Sequence, residues 1–308
     1  MKVLKFGGSS VANAHNINKV IDIMLHSSKS HNIVIVVSAL GGVTDELLAL
    51  ASVVRDGGDE YKKLFINICD KHNKLIGELI LGVKAHKALE EVGKKYDELE
   101  KTLTDILLSK QLSRKALDMI VSFGEQLSAY IISEVLKSRG VQCNFVDART
   151  IIKTDDNFGE ANVDIEESYK LIYNDFKKNH QLSVMGGFIA STKNGVTTTL
   201  GRGGSDYTAS IVGAALDASV IEIWTDVDGL MTADPRIVKD AIIIPEISYE
   251  KAEEMAYLGA KVIHPKTLKP ARLKNIPIYI RNTFNPECNG TRISNIKIKQ
   301  NVSYEITK

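Results

Sequence analysis

Three cysteines in 308 residues, widely spaced at Cys69, Cys143 and Cys288, make neither a disulfide framework nor a zinc pattern. They read as buried or incidental thiols of a reducing compartment. An excess of one charge is lacking too: the formal net charge is +1, without the basic surplus that a nucleic-acid-binding domain carries. No stretch approaches the roughly 20 apolar residues that span a bilayer. The start, Met1-Lys2-Val3-Leu4, runs into Lys5 without the apolar region of a signal peptide. The seven histidines form no metal-binding spacing. A Walker A loop is missing as well, since Gly-x-x-x-x-Gly-Lys-[Ser/Thr] occurs nowhere. These absences lead us to expect a soluble, cytoplasmic protein with no nucleic acid and no membrane among its partners.

What is present is an α/β rhythm. An apolar content of 44% with 25% charged residues suits a globular chain, long enough for one large two-lobed domain. Short β-branched runs, the mark of buried parallel strands, fall at 3–6, 33–38, 143–146, 183–185, 220–225 and 278–281. Helical patterns fall between them at 16–25, 45–54, 114–139, 165–177, 207–216, 249–258 and 265–273. Such alternation predicts a three-layer αβα sandwich, a mainly parallel sheet with helices on both faces. Residues 59–110 break the rhythm with Leu, Lys and Glu and no β-rich run, which predicts a helical insertion. A soft boundary near Asp217 divides an N-terminal lobe, 1–217, from a C-terminal lobe, 218–285. Residues 286–308 read as a linker continuing into a longer parent, and 151–160 as a loop or small hairpin.

Four glycine-bearing turns follow strands, where ligands of open α/β sheets bind. The first is Lys5-Phe6-Gly7-Gly8-Ser9-Ser10, in which glycines permit close backbone approach and the lysine adds a mobile charge. The others are Ser38-Ala39-Leu40-Gly41-Gly42-Val43-Thr44, Met185-Gly186-Gly187-Phe188 and Thr225-Asp226-Val227-Asp228-Gly229. A further loop, Leu200-Gly201-Arg202-Gly203-Gly204-Ser205-Asp206, opens a helix and presents amides suited to an anion. Its arginine suits a carboxylate or phosphate, through a two-bond fork. Ser205 and Asp206 alone would also serve as plain helix caps. Glu125, beside Gly124 in a helical pattern, is either an acceptor for a substrate ammonium or a solvated surface carboxylate. His264, before Pro265, reads as a structural residue at a helix start.

Taken together, these segments resemble the aspartokinases of the amino acid kinase family. The likeness runs in order through Lys5-Phe6-Gly7-Gly8-Ser9-Ser10-Val11-Ala12, Val37-Ser38-Ala39 to Thr44, Ser122-Phe123-Gly124-Glu125 and Leu200 to Asp206. It continues through Trp224 to Gly229, Asp234-Pro235-Arg236 and Leu258-Gly259-Ala260-Lys261-Val262-Ile263-His264-Pro265. Ala12-Asn13 and Arg281 to Pro286 look closer to the kinase part of bifunctional aspartokinase–homoserine dehydrogenases.

The resemblance implies transfer of the ATP γ-phosphoryl group to the β-carboxylate of L-aspartate, giving 4-phospho-L-aspartate, with Mg2+ as cofactor. That is the first step of lysine, threonine and methionine biosynthesis. By the same likeness Lys5 stabilises the transferring group, with Gly7, Gly8 and Ser9 cradling phosphates. Arg202 holds the substrate α-carboxylate, Glu125 its ammonium, and Ser38, Thr44 and Ser205 line the aspartate pocket. Asp206 orients Lys5 or contacts magnesium. Thr225, Asp226, Met231, Arg236 and Lys261 bind ATP, with Met231 standing where many relatives have tyrosine. A homodimer is among the expectations. Aspartokinases usually continue into ACT regulatory domains, and bifunctional ones into a dehydrogenase, so an isolated catalytic part without feedback inhibition is expected. Another amino acid kinase, of the glutamate or N-acetylglutamate type, and a non-catalytic relative are the alternatives.

Overall fold

The structure, a computed structural model, describes residues 1–178, 182–233, 238, 240–257 and 263–296. The chain runs β1 (Lys2–Phe6), α1 (Ala14–Ser28), β2 (Ile33–Val37), α2 (Val43–Arg55), α3 (Tyr61–Leu79), α4 (Val83–Ser109) and α5 (Arg114–Ser138). It continues through β3 (Cys143–Val146), α6 (Ala148–Ile151), β4 (Lys153–Thr154), α7 (Ile165–Lys178), β5 (Leu182–Gly186), β6 (Ile189–Thr192) and β7 (Thr197–Thr199). The last elements are α8 (Gly204–Ala215), β8 (Val220–Thr225), β9 (Glu246–Ser248), α9 (Tyr249–Tyr257), α10 (Pro265–Leu273), β10 (Ile278–Asn282) and β11 (Thr291–Ser294).

Eight strands form one sheet in the order β3-β5-β2-β1-β8-β10-β11-β9, parallel throughout except where β11 meets β10. Successive side chains of a strand point to opposite faces, and this alternation divides the core in two. Leu4, Phe6, Ile35 and Val37 enter one apolar cluster, with residues of α1 to α5. Val3, Val34 and Val36 enter the other, with residues of α6 to α10. The expected sandwich is therefore present, and the 59–110 insertion is a helical pair, α3 and α4, on the first face.

Three features differ from the reading of the sequence. The boundary near Asp217 does not interrupt the sheet, since β8 pairs with β1 from Lys2↔Val220 to Phe6↔Trp224. Strand β11 lies within the stretch read as a linker and is held between β10 and β9. A second sheet, β4-β6-β7, was not expected at all: its strands have two to four residues, and threonine dominates β7.

Parallel pairing brings the strand ends into register, Phe6 beside Val37 and Trp224, and Val37 beside Gly186. The turns after β1, β2, β5 and β8 thus share one edge, where the chain leaves β1 toward β2 on one side and meets β8 on the other. Crevices form at such reversals of strand order.

Candidate active site

A cavity of about 380 Å³ opens at this edge, with Lys5, Gly8, Ser38, Thr44, Glu125, Ser205 and Asp206 among its walls. The structure therefore gathers seven of the residues singled out in the sequence. Lys5, on β1, points to the face of α8, where its Nζ stands 2.5 Å from Asp206 Oδ1 in the first helical turn. Two helices begin at the cavity. Gly42 and Gly203 take left-handed φ values of 82° and 71° at the starts of α2 and α8, which a residue with a Cβ rarely adopts. Unpaired amides at such starts favour an anion.

Close packing sets the rest of the wall. A Cβ on Gly124 would lie 2.7 Å from the Ala39 Cβ, so the glycine lets α5 approach the turn after β2. One on Gly187 would lie 2.6 Å from Ser205 Cα, so this glycine seats the start of α8 against the turn after β5. Phe188, also in the wall, holds a left-handed φ of 65°, unusual for a bulky side chain.

Glu125 is not a surface carboxylate. It is 4% exposed on the buried face of α5, and its Oε2 has no hydrogen-bond partner. Burial pushes its carboxyl up to about 8, against the opposing pull of the Ala39 amide and the Lys5 charge. A buried, unsatisfied acceptor facing a cavity is the kind of group that a bound cation completes.

Other expected residues lie outside the wall. Arg202 is exposed, although Gly201 and Gly203 on either side of it line the cavity. Gly7 lies beside the lysine, its absent Cβ 3.6 Å from Lys5 Nζ. The Ser9 carbonyl accepts a hydrogen bond from Asn16 Nδ2 at 2.8 Å. Thr225, the last residue of β8, donates to its neighbour Asp226 at 3.2 Å, and Met231 forms a bridge with Ile243. Arg236 and Lys261 lie outside the described residues. His264 caps α10, its Nδ1 accepting the Lys266 amide at 3.3 Å, and it packs where a Cβ on Gly203 would fall, 2.6 Å from its own.

The sequence reading missed Asp45 in the wall and named Phe188 only as part of the turn after β5. Asp45 follows Thr44 at a helix start, a signal that was available. The left-handed φ of Phe188, by contrast, was not legible, since a bulky side chain rarely takes it. No helix among the described residues is long and apolar enough to cross a membrane.

Residues 1–282 match the sequence profile described as the amino acid kinase family. Lysine-sensitive aspartokinase 3 of Escherichia coli is 37% identical over 300 residues, covering 95% of this chain and 64% of that protein. A bifunctional aspartokinase/homoserine dehydrogenase of Buchnera aphidicola is 36% identical over 298 residues, covering 95% of this chain and 36% of the relative. The chain thus spans less than two thirds of either. Among solved structures, E. coli aspartokinase III in complex with aspartate and ADP superposes with a TM-score of 0.89 at 36% identity, covering 97% of this chain and 65% of that one.

Proposed function

The chain belongs to the amino acid kinase family, and from that premise we propose that it transfers the γ-phosphoryl group of ATP to the β-carboxylate of L-aspartate. One observation carries the reading. A buried carboxylate with one unpaired oxygen, a lysine and two helix starts meet in a single cavity, which provides for the ammonium and the anionic ends of an amino acid together. The likeness to an aspartokinase solved with aspartate and ADP supports the same choice of substrates.

The chemistry asks little of an acid or a base. An aspartate side chain ionises near pH 3.9 and is already a nucleophile at neutral pH. One of its oxygens forms a bond to the γ-phosphorus while the bond to the β,γ-bridging oxygen breaks, and ADP leaves. The barrier is the approach of two anions and the charge spread during transfer, so positioning and electrostatic stabilisation dominate. Lys5 supplies a positive charge at the reacting end, and Asp206 holds its ammonium in place. The amides of the turn after β1 donate to phosphate oxygens, and those before α8 face the substrate α-carboxylate. Glu125, protonated in the empty cavity at neutral pH, ionises as the substrate ammonium enters beside it. Arg202 folds from its exposed position onto the α-carboxylate.

Magnesium fits this arrangement as a companion of the nucleotide. Among the described residues no group of three His, Cys, Asp or Glu side chains could hold a metal ion. A Mg2+ ion commonly takes one or two carboxylates together with substrate phosphates. Asp206 is the carboxylate that would hold it, since it stands in the cavity wall in the first turn of α8 beside Lys5. The ion would supply neutralisation of charge on the phosphates.

A coupled assay of ATP turnover with aspartate, glutamate, N-acetylglutamate, carbamate and UMP as acceptors tests the reading. Aspartate is expected to be preferred. A preference for glutamate would move the chain to another branch of the family. Nucleotide binding with no transfer at saturating aspartate and Mg2+ would make it a non-catalytic relative.

A further inference from the structure

Two turns before Glu125 on the same helix, Asp118 is 2% exposed and accepts three hydrogen bonds. Its Oδ2 takes the backbone N–H groups of Thr199 and Gly159, each at 2.9 Å, and its Oδ1 takes the Thr199 hydroxyl at 2.9 Å. Residues seven apart lie on one face of a helix, so α5 presents Asp118 and Glu125 in the same direction. Both segments held by Asp118 support the loop that carries Arg202. Thr199 precedes Leu200-Gly201-Arg202 directly. Gly159 and Glu160 lie against Gly201, where a Cβ would meet the Gly159 carbonyl at 3.3 Å and Glu160 Cγ at 3.0 Å. The Ala161 amide donates to the Thr199 carbonyl at 2.9 Å, tying the two segments to each other.

We propose that Asp118 is a positioning residue for the acceptor amino acid, fixing the glycine loop with Arg202 at a set offset from Glu125. The geometry explains why a carboxylate sits deep in the protein with neutral donors around it. Charge-assisted bonds to backbone amides are stronger than neutral ones, and here they join one helix to two chain segments distant in sequence. Its consequence is confined to one substrate. On the kinase reading the nucleotide meets the turns after β1 and β8, whereas the amino acid spans from α5 to the loop. The inference rests on the aspartate-kinase reading.

Steady-state kinetics of Asp118→Ala and Asp118→Asn, with hydrogen exchange across 199–204, test it. Asp118→Ala is expected to raise the aspartate KM about tenfold, as for loss of charged hydrogen bonds, with the ATP KM within about twofold of wild type. Asp118→Asn is expected to recover most, not all, of the aspartate KM. Its oxygen can take both amides, and its NH2 group can donate to the Thr199 hydroxyl in reversed polarity. An aspartate KM that stays at the wild-type value in Asp118→Ala, or two KM values that rise together, overturns the proposal. Should Asp118→Ala fail to fold, Thr199→Val removes one bond alone and is expected to raise the aspartate KM about threefold; an unchanged value there overturns it equally. If the wild-type chain shows no aspartate-dependent turnover, the kinase reading falls and exchange decides alone. Faster exchange at 199–204 in Asp118→Ala, restored in Asp118→Asn, supports the clamp, and equal exchange in all three removes it.

Discussion

Lys5 Nζ meets Asp206 Oδ1 at 2.5 Å across the cavity edge, tying the first strand of the sheet to the first turn of α8. Both side chains are largely buried, so the pair is better shielded from water than a surface ion pair, whose worth is usually below about 1 kcal/mol. On the proposed reading Asp206 holds the ammonium still, so that its charge acts on the transferring phosphoryl group without first being reoriented.

Removing that charge should show in turnover. Lys5→Ala is expected to lower kcat by about 10²- to 10³-fold, the usual cost of losing one stabiliser of transition-state charge. Asp206→Asn should lower kcat less, because the lysine remains but loses its anchor. The double variant should fall little below Lys5→Ala, since residues acting as a unit are not additive. Additive losses in kcat across the cycle would show that the two act separately.

Glu125 sets a pH dependence in substrate capture. Burial holds its carboxyl near 8 in the empty cavity, whereas an ammonium binds to the ionised form. The kcat/KM for aspartate should therefore rise with pH until about 8 and then level, and Glu125→Gln should be both weaker and flat over that range. Stability should run the other way. A carboxyl whose folded pKa lies above its unfolded value of 4.5 favours folding fully below pH 4.5, and that contribution is lost as pH rises through about 8. Glu125→Gln is accordingly expected to melt later than wild type at pH 8, by on the order of 3 kcal/mol of stability, with the difference gone at pH 4.5. Urea titrations at the two pH values measure it.

The parts of the molecule that were legible in the sequence share a cause. Strands β1, β2 and β8 are buried on both faces, so their apolar runs are uninterrupted and easily seen. Strands β6 and β7 are short and rich in Thr and Ser, and Thr198 pairs its hydroxyl with Thr154 in β4, so nothing in their composition separates them from loop. Helix α8 begins three residues before the expected Tyr207, because two glycines and a serine at its start are weak helix formers whose conformation is set by contact with Phe188 and His264. The motif glycines and charges announced the cavity. Asp118 did not announce itself, because its three partners lie 41 and 81 residues away.

Gly187 separates packing from chemistry. A Cβ there would stand 2.6 Å from the Ser205 Cα and 2.9 Å from Val36 Cγ1, and the backbone of α8 cannot yield as a flexible side chain can. Gly187→Ala is expected to cost about 1–3 kcal/mol in stability, the range for overpacked sites, and to displace Ser205 and Asp206 from Lys5. Gly93→Ala, in α4, meets nothing within 4 Å and should instead gain up to about 1 kcal/mol from helix propensity. Thermal melts of the two variants, with kcat measured alongside, should move in opposite directions for stability and should show loss of activity only for Gly187→Ala.

Arg202 offers the cleanest division between binding and folding, because it is exposed while the glycines beside it line the cavity. An exposed side chain contributes little to the folded state, so Arg202→Ala should leave the denaturation midpoint within about 0.5 kcal/mol of wild type. If Arg202 holds the substrate α-carboxylate as proposed, the same substitution should raise the aspartate KM by about 10- to 100-fold. Arg202→Lys should recover only part of that affinity, since an ammonium cannot reproduce the paired donors of a guanidinium. A wild-type aspartate KM in Arg202→Ala would mean that the arginine stays in solvent when the amino acid binds, and the α-carboxylate would then have to rest on the amides of Gly203 and Gly204 alone.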